Sequence, residues 1–223
     1  IDVGAYQKIN VKKENFISDV DRLIEEGYYG LNVTVPLKED AYKYCDNTSD
    51  VARTLKAVNT LIVNKDGVYG DNTDPIGFEK SIANRGLNNK PCLVLGAGGS
   101  ARAVVYALSH MKCEIGIYNR TRENAESLCS DLGVEATVLT EKTISEFIRS
   151  SHLVVNTTSL GQQEGEENNL IDFDSLNSSA HVYDLIYNPS KTTFLRQAEK
   201  NGCTVQNGLE MLIHQAAQSF NLW

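Results

Sequence analysis

The run Cys92-Leu-Val-Leu-Gly-Ala-Gly-Gly-Ser-Ala-Arg-Ala103 is followed by an apolar-periodic stretch and then by Glu114-Ile-Gly-Ile-Tyr-Asn-Arg-Thr-Arg122. Cys92 to Leu95 form a short, wholly apolar segment of the kind required by a strand covered on both faces. Ala103, Val104, Ala107 and Leu108 then recur at helical spacing, and a second strand follows from Glu114. Between strand and helix lie Gly96, Ala97, Gly98, Gly99 and Ser100. The glycines are expected to take backbone conformations closed to other residues and to let a pyrophosphate approach the main chain. There the free N–H groups and the positive end of the helix dipole bind it. Ala101 stands where the third glycine of G-x-G-x-x-G would sit, an accepted replacement at a helix-packing position.

The second strand bears on which dinucleotide is bound. An NAD site places an acid there for the ribose 2′-hydroxyl, whereas this chain offers Asn119, Arg120, Thr121 and Arg122. A guanidinium holds a 2′-phosphate through paired, charge-assisted hydrogen bonds, so the expected cofactor is NADP.

Working outward, 223 residues at 41% hydrophobic composition bury a substantial core in one large or two modest domains. A net charge of −8, with no basic run, argues against nucleic acid and acidic membrane surfaces as partners. Cys45, Cys92, Cys113, Cys129 and Cys203 are scattered and odd in number, which speaks for a reducing, cytoplasmic setting rather than a disulfide framework or zinc site. No metal is expected.

Upstream, Ile1 to Val11 reads as a short strand, and Phe16, Ile17, Val20, Leu23 and Ile24 mark a helix that stops at Gly27. Gly30 to Val35 reads as a strand that Pro36 ends, with Thr34 and Lys38 at its carboxyl end, where open α/β sheets bind ligands. Ser49 is placed to cap a helix over Val51 to Leu55. Ala57 to Val63 and Val68 to Asp71 flank Asn64-Lys-Asp-Gly67 as a hairpin. Downstream, alternating strands and helices predict a doubly wound sheet. Gln162 to Asn169 reads as a mobile loop, and Met211, Leu212, Ala216 and Phe220 as the apolar side of the last helix.

Five motifs occur in one order: Gly30-Leu-Asn-Val-Thr-Val-Pro-Leu-Lys38, Ala57-Val-Asn59-Thr60, Asn72-Thr73-Asp74, Gly96-Ala-Gly-Gly-Ser100 and Asn119-Arg120-Thr121. Asn156-Thr-Thr-Ser-Leu-Gly161, Asp184-Leu-Ile-Tyr187-Asn-Pro189 and Asn207-Gly208-Leu-Glu-Met-Leu-Ile-His-Gln215-Ala216 follow. Together they resemble the shikimate dehydrogenase family over essentially the whole chain. The resemblance implies an α/β enzyme with an NADP-binding, Rossmann-like doubly wound domain, residues 77–208. A smaller α/β substrate domain, residues 1–76, is completed by the C-terminal helix within residues 209–223. It implies reversible reduction of 3-dehydroshikimate to shikimate in aromatic amino acid biosynthesis. By the same resemblance Lys38 and Asp74 are the catalytic pair, and Thr34, Asn59, Tyr187 and Gln215 contact the substrate. Gly96, Ala97, Gly98, Gly99, Ser100, Asn119, Arg120, Thr121, Leu185, Gly208 and Asp50 are the implied cofactor contacts, and a homodimer is the implied assembly.

Two departures from the family pattern stand out. Asn124 occupies a position where the family often carries a further basic residue, leaving Arg120, with Arg122, to hold the phosphate. Nothing in Ile1 to Gly30 matches the family's Ser-x-Ser motif for the substrate carboxylate, and the chain starts without methionine, so an incomplete chain is expected. A quinate/shikimate dehydrogenase shares nearly all these motifs, and a non-catalytic NADP-binding regulator is the alternative of another class.

Overall fold

The structure, a computed structural model, describes residues 4–163 and 170–223. The chain divides into two compact units, one of Ile1–Asn72 with Leu222–Trp223 and one of Thr73–Asn221.

The first unit contains α1 (Phe16–Glu25), β1 (Gly30–Asn32), α2 (Lys38–Tyr44), β2 (Asn47–Thr48), α3 (Asp50–Leu55), β3 (Thr60–Asn64) and β4 (Gly67–Asp71). Phe16, Val20 and Leu23 recur at i, i+4 and i+7 on the buried face of α1. They join Val33, Leu37, Ala41, Ala52, Val58 and Leu61 in one apolar cluster. The expected hairpin forms, β3 pairing antiparallel with β4 from Thr60↔Asp71 to Asn64↔Gly67. β1 adds antiparallel to β3 and β2 parallel to β4, giving the order β1-β3-β4-β2. Ser49 caps α3 as expected, its hydroxyl accepting from the Ala52 N–H at 3.0 Å. The strand expected over Ile1 to Val11 is absent from its described residues, 4–11; Val11 instead packs against the apolar cluster.

The second unit contains α4 (Asp74–Ser81), β5 (Pro91–Leu95), α5 (Gly99–His110), β6 (Glu114–Tyr118), α6 (Arg122–Leu132), β7 (Thr137–Val138), α7 (Ile144–Ser150), β8 (Leu153–Asn156), β9 (His181–Asp184), α8 (Thr193–Lys200), β10 (Thr204–Asn207) and α9 (Leu209–Leu222). Its strands form one parallel sheet in the order β10-β9-β8-β5-β6-β7. Cys92, Leu93, Val94 and Leu95 are all fully buried, as a strand covered on both faces demands. Leu93, Leu95, Val154 and Val182 share a core with Ile144 and Ile148 of α7 and Phe194, Leu195 and Ala198 of α8. Ala103, Val104, Ala107 and Leu108 form the expected buried face of α5. The chain leaves β5 toward β6 and re-enters at β8 on the other side, so strand order reverses between β5 and β8. The carboxyl ends at such a reversal are where open α/β sheets hold ligands.

Two further expectations concern helix α9 and residues 162–169. The only buried residue of α9 is Ser219, while Leu212 and Ala216 are exposed and Phe220 is 70% exposed. The close side of α9 is small and polar because Gly77 of α4 meets it with no room for a side chain: a Cβ there would lie 2.8 Å from Gln215 Cβ and 2.9 Å from the Met211 carbonyl oxygen. Of the loop expected over Gln162 to Asn169, residues 164–169 lie outside the described residues.

Candidate active site

In the first unit, backbone bonds draw two of the expected site residues, Lys38 and Asn59, into one network. The Val33 N–H donates to the Asn59 carbonyl at 2.8 Å, the Val58 N–H to the Lys38 carbonyl at 2.9 Å, and the Asn59 N–H to the Asp71 carbonyl at 3.0 Å. Thr34 sits in the exposed turn between β1 and α2, its carbonyl accepting from the Leu37 N–H at 2.9 Å, and Lys38 opens α2 half-buried. Asn59 is buried, its Oδ1 accepting from the Thr60 hydroxyl at 2.8 Å. Asp50 stands apart in its bonding: exposed at the first position of α3, it pairs with Arg53 at 2.6 Å.

In the second unit, Asp74 is the first residue of α4, where a carboxylate is stabilised by the helix dipole. Thr73, just before it, donates its hydroxyl to Gln215 Oε1 at 3.3 Å and lies 3.2 Å from the Ser219 hydroxyl. The fold therefore brings Gln215 of α9 beside Asp74. Tyr187 is 51% exposed in the segment after β9.

The glycine turn follows β5. Gly96 has φ +108, and a Cβ there would lie 2.6 Å from Thr157 Oγ1, so both backbone and neighbours require glycine. Gly98 and Gly99 do not take the special backbone expected of them, because neither has a positive φ and Gly98 is extended at φ −87, ψ −169. A Cβ at either would meet nothing within 4 Å. The protein leaves open space at the N-terminus of a 12-residue helix, where free N–H groups and the dipole favour an anion, and this fits a pyrophosphate. Ala101 is fully buried, as the helix-packing position requires.

Beside the turn, Gly96, Asn119, Arg120, Thr121, Thr158 and Leu160 line a cleft of about 320 Å³. The Asn119 amide donates to the Thr121 carbonyl at 2.7 Å and shapes the turn. Arg122 is engaged by Glu126 at 2.7 Å, whereas exposed Arg120 has no ion pair among the described residues. Asn124, also in the cleft lining, adds no charge. Arg120 is thus the guanidinium suited to a 2′-phosphate.

Leu185 and Gly208 meet where β9 and β10 end: the Leu185 N–H donates to the Asn156 carbonyl at 3.0 Å and the Gly208 N–H to the Ile186 carbonyl at 3.3 Å. The sequence reading passed over Asp184, the fully buried carboxylate next to them. Its burial raises its pKa to about 6, against hydrogen bonds from Thr192, Ile186 and Asn156 that lower it.

Comparison with known proteins agrees with this architecture. Residues 3–61 match the family model described as shikimate dehydrogenase substrate binding domain, and residues 79–169 that described as shikimate / quinate 5-dehydrogenase. The NADP(+) shikimate dehydrogenase of Roseobacter denitrificans is 40% identical over 226 residues, covering 99% of this chain and 81% of the relative. The crystal structure of shikimate 5-dehydrogenase from Thermus thermophilus in complex with NADP(H) and shikimate aligns with a TM-score of 0.84 and 34% identity, over 96% of this chain and 79% of that one. Quinate dehydrogenase from Corynebacterium glutamicum in complex with NAD aligns with a TM-score of 0.81 and 30% identity, over 92% and 76%. The chain belongs to the shikimate dehydrogenase family.

Proposed function

We propose that the protein is an NADP-dependent oxidoreductase that interconverts 3-dehydroshikimate and shikimate in the route to aromatic amino acids. The observation that carries this reading is the uncovered glycine turn beside Arg120, in a chain whose relatives along its length are NADP(+) shikimate dehydrogenases. We propose residues 77–208 as the dinucleotide-binding domain and residues 1–76 with 209–223 as the substrate domain.

When bound, the nicotinamide supplies the hydride to the carbonyl carbon of the substrate and takes it back in reverse. Gly96, Ala97, Gly98, Gly99 and Ser100 would hold the pyrophosphate and Arg120 the 2′-phosphate, with Asn119 and Thr121 shaping that end of the cleft; Leu185, Gly208 and Asp50 would be further cofactor contacts. As the carbonyl oxygen gains negative charge, the Lys38 ammonium stabilises and protonates it; neutral Lys38 takes that proton in the oxidative direction. Asp74 accepts a hydrogen bond from a substrate hydroxyl, and Thr34, Asn59, Tyr187 and Gln215 bind the remaining polar groups. A site built for hydroxyls discriminates against analogues that lack them.

Quinate is the second substrate to consider, because the Corynebacterium glutamicum neighbour is a quinate dehydrogenase. Steady-state rates with shikimate and quinate at equal concentrations, each with NADP⁺ and NAD⁺, test the reading; shikimate with NADP⁺ is expected to give the highest kcat/KM, and a preference for quinate with NAD⁺ would replace it. No helix among the described residues is long and apolar enough to cross a membrane, and the proposed setting is the cytoplasm, where the five free thiols stay reduced. The proposed assembly is a homodimer, to be read by light scattering.

A further inference from the structure

Asp184 ends β9, and donors from three segments converge on it. The Asn156 amide, at the end of β8, donates to Oδ1 at 3.0 Å. The Ile186 N–H reaches the same oxygen at 3.2 Å, and the hydroxyl of Thr192, the N-cap of α8, reaches Oδ2 at 2.6 Å. Asn156 relays the constraint: its Oδ1 accepts from the Thr158 N–H at 3.1 Å and the Thr158 hydroxyl at 2.7 Å, and its amide also lies 3.4 Å from the Leu160 carbonyl. Thr192 faces Gly161, where a Cβ would come within 3.6 Å of its own. One carboxylate therefore ties residues 156–161 to residues 185–192.

An ionised carboxylate accepts without donating, so it satisfies all three donors at once. A neutral amide or acid in its place brings a donor of its own, so the Thr192 hydroxyl, which already accepts from the Leu195 N–H, must turn to accept from it as well, and its own proton loses the carboxylate. The arrangement costs a desolvated anion with no cation beside it among the described residues. Charged and titratable groups of the neighbouring elements are engaged elsewhere. Arg196 of α8 bonds the Lys191 carbonyl and Thr193, Glu199 pairs with Lys191, Glu210 of α9 bonds Gln206, and His181 of β9 bonds Thr204 and Gln206. Neither β8 nor β10 carries a titratable side chain.

The geometry points to Asp184 as the positioning residue that fixes Leu185 and Tyr187 against the segment after β8, a role that rests on the cofactor and substrate assignments proposed above. The ionised form is the working one. Protonation, centred at about pH 6, removes the charge that all three donors share and reverses the Thr192 bond, which loosens the anchor, so kcat/KM falls as pH drops through that value.

The test compares wild type, Asp184→Asn, Thr192→Val and Thr192→Ser by pH–rate profile and by amide deuterium uptake at pH 8. Asp184→Asn is expected to lose at least tenfold in kcat/KM at pH 8, to lack the acid limb near pH 6, and to exchange at least tenfold faster in residues 156–163 and 185–192 while exchange elsewhere stays within about twofold. Thr192→Val removes a bond that stabilises the anion, so its acid limb moves up by about one pH unit; Thr192→Ser, which keeps the hydroxyl, leaves the limb in place. Asp184→Asn with wild-type turnover, the same acid limb and unchanged exchange would overturn the assignment. If that variant does not fold, Thr192→Val decides: an unmoved limb and unmoved exchange overturn the assignment too. A wild type that turns over no shikimate contradicts the proposed reaction instead, and deuterium uptake still judges Asp184.

Discussion

Gly208 packs directly on Leu185: a Cβ built at position 208 would overlap the Leu185 carbonyl group. Glycine is required there by close approach and not by a left-handed backbone, since Gly208 is absent from the positive-φ residues. Gly208→Ala must push the start of α9 away from the end of β9. Overpacking of this kind costs about 1 to 3 kcal/mol, and because Leu185 moves with it, KM for NADPH is expected to rise severalfold. Urea unfolding with a cofactor titration checks both; unchanged stability would mean the contact is slack.

Gly98 makes the opposite prediction. Its extended backbone accepts any residue and nothing surrounds its Cβ position, so Gly98→Asp leaves the fold intact and supplies a good N-cap for α5, worth a few tenths of a kcal/mol. The added carboxylate occupies and repels the pyrophosphate position. NADPH affinity measured by calorimetry is expected to drop by more than about a hundredfold, roughly 3 kcal/mol, while the melting temperature holds or rises.

Arg120 is the residue proposed to set the cofactor preference. Hydrogen bonds to a charged phosphate are worth about 1.5 to 3 kcal/mol, so Arg120→Ala should weaken NADP by roughly tenfold to a hundredfold and leave NAD little changed. Arg122, held by Glu126, is expected to contribute far less, and dissociation constants for both dinucleotides with both alanine variants test the assignment. Equal losses for NADP and NAD would remove Arg120 from it.

Asp184 predicts a pH-dependent stability of unusual sign. Its pKa rises from 3.8 to about 6 on folding, so the native state binds the extra proton in that window, and this group's contribution falls as pH rises from about 4 to 6 and is level above. About two pKa units correspond to about 3 kcal/mol. The stability of Asp184→Asn relative to wild type is therefore expected to grow by about that amount between pH 4 and pH 7, as measured by urea unfolding. A pH-independent difference would show that the carboxyl titrates normally.

The parts of the fold that depend on local spacing were readable before any coordinates. The apolar run Cys92 to Leu95, the buried face of α5, the Ser49 cap and the Asn64–Gly67 hairpin all formed as expected. Gly96 takes the special backbone expected of it, but Gly98 and Gly99 do not and keep only the other expected reason, a ligand's approach, because sequence cannot tell a glycine demanded by φ from one demanded by a ligand. For α9 the sequence marks an apolar side but not which side packs: Gly77 approaches Gln215, Ser219 and Gln215 face Thr73, and Phe220 is left exposed. Asp184, although part of a quoted motif, is given no role there, since an isolated acid in an apolar strand reveals neither its burial nor its donors, which come from residues 2 to 28 positions away.

The central claim is tested most directly by following NADPH formation by absorbance on mixing the protein with shikimate and NADP⁺, alongside Lys38→Met. Because Lys38 is proposed to act as charge develops on the substrate oxygen, the variant is expected to lose about a hundredfold or more in kcat with a smaller change in KM. Shikimate-dependent NADPH formation by wild type, lost in this way on substitution, is the result the account predicts. A wild type that binds NADPH yet oxidises no shikimate, or a Lys38→Met variant with wild-type kcat, would contradict it.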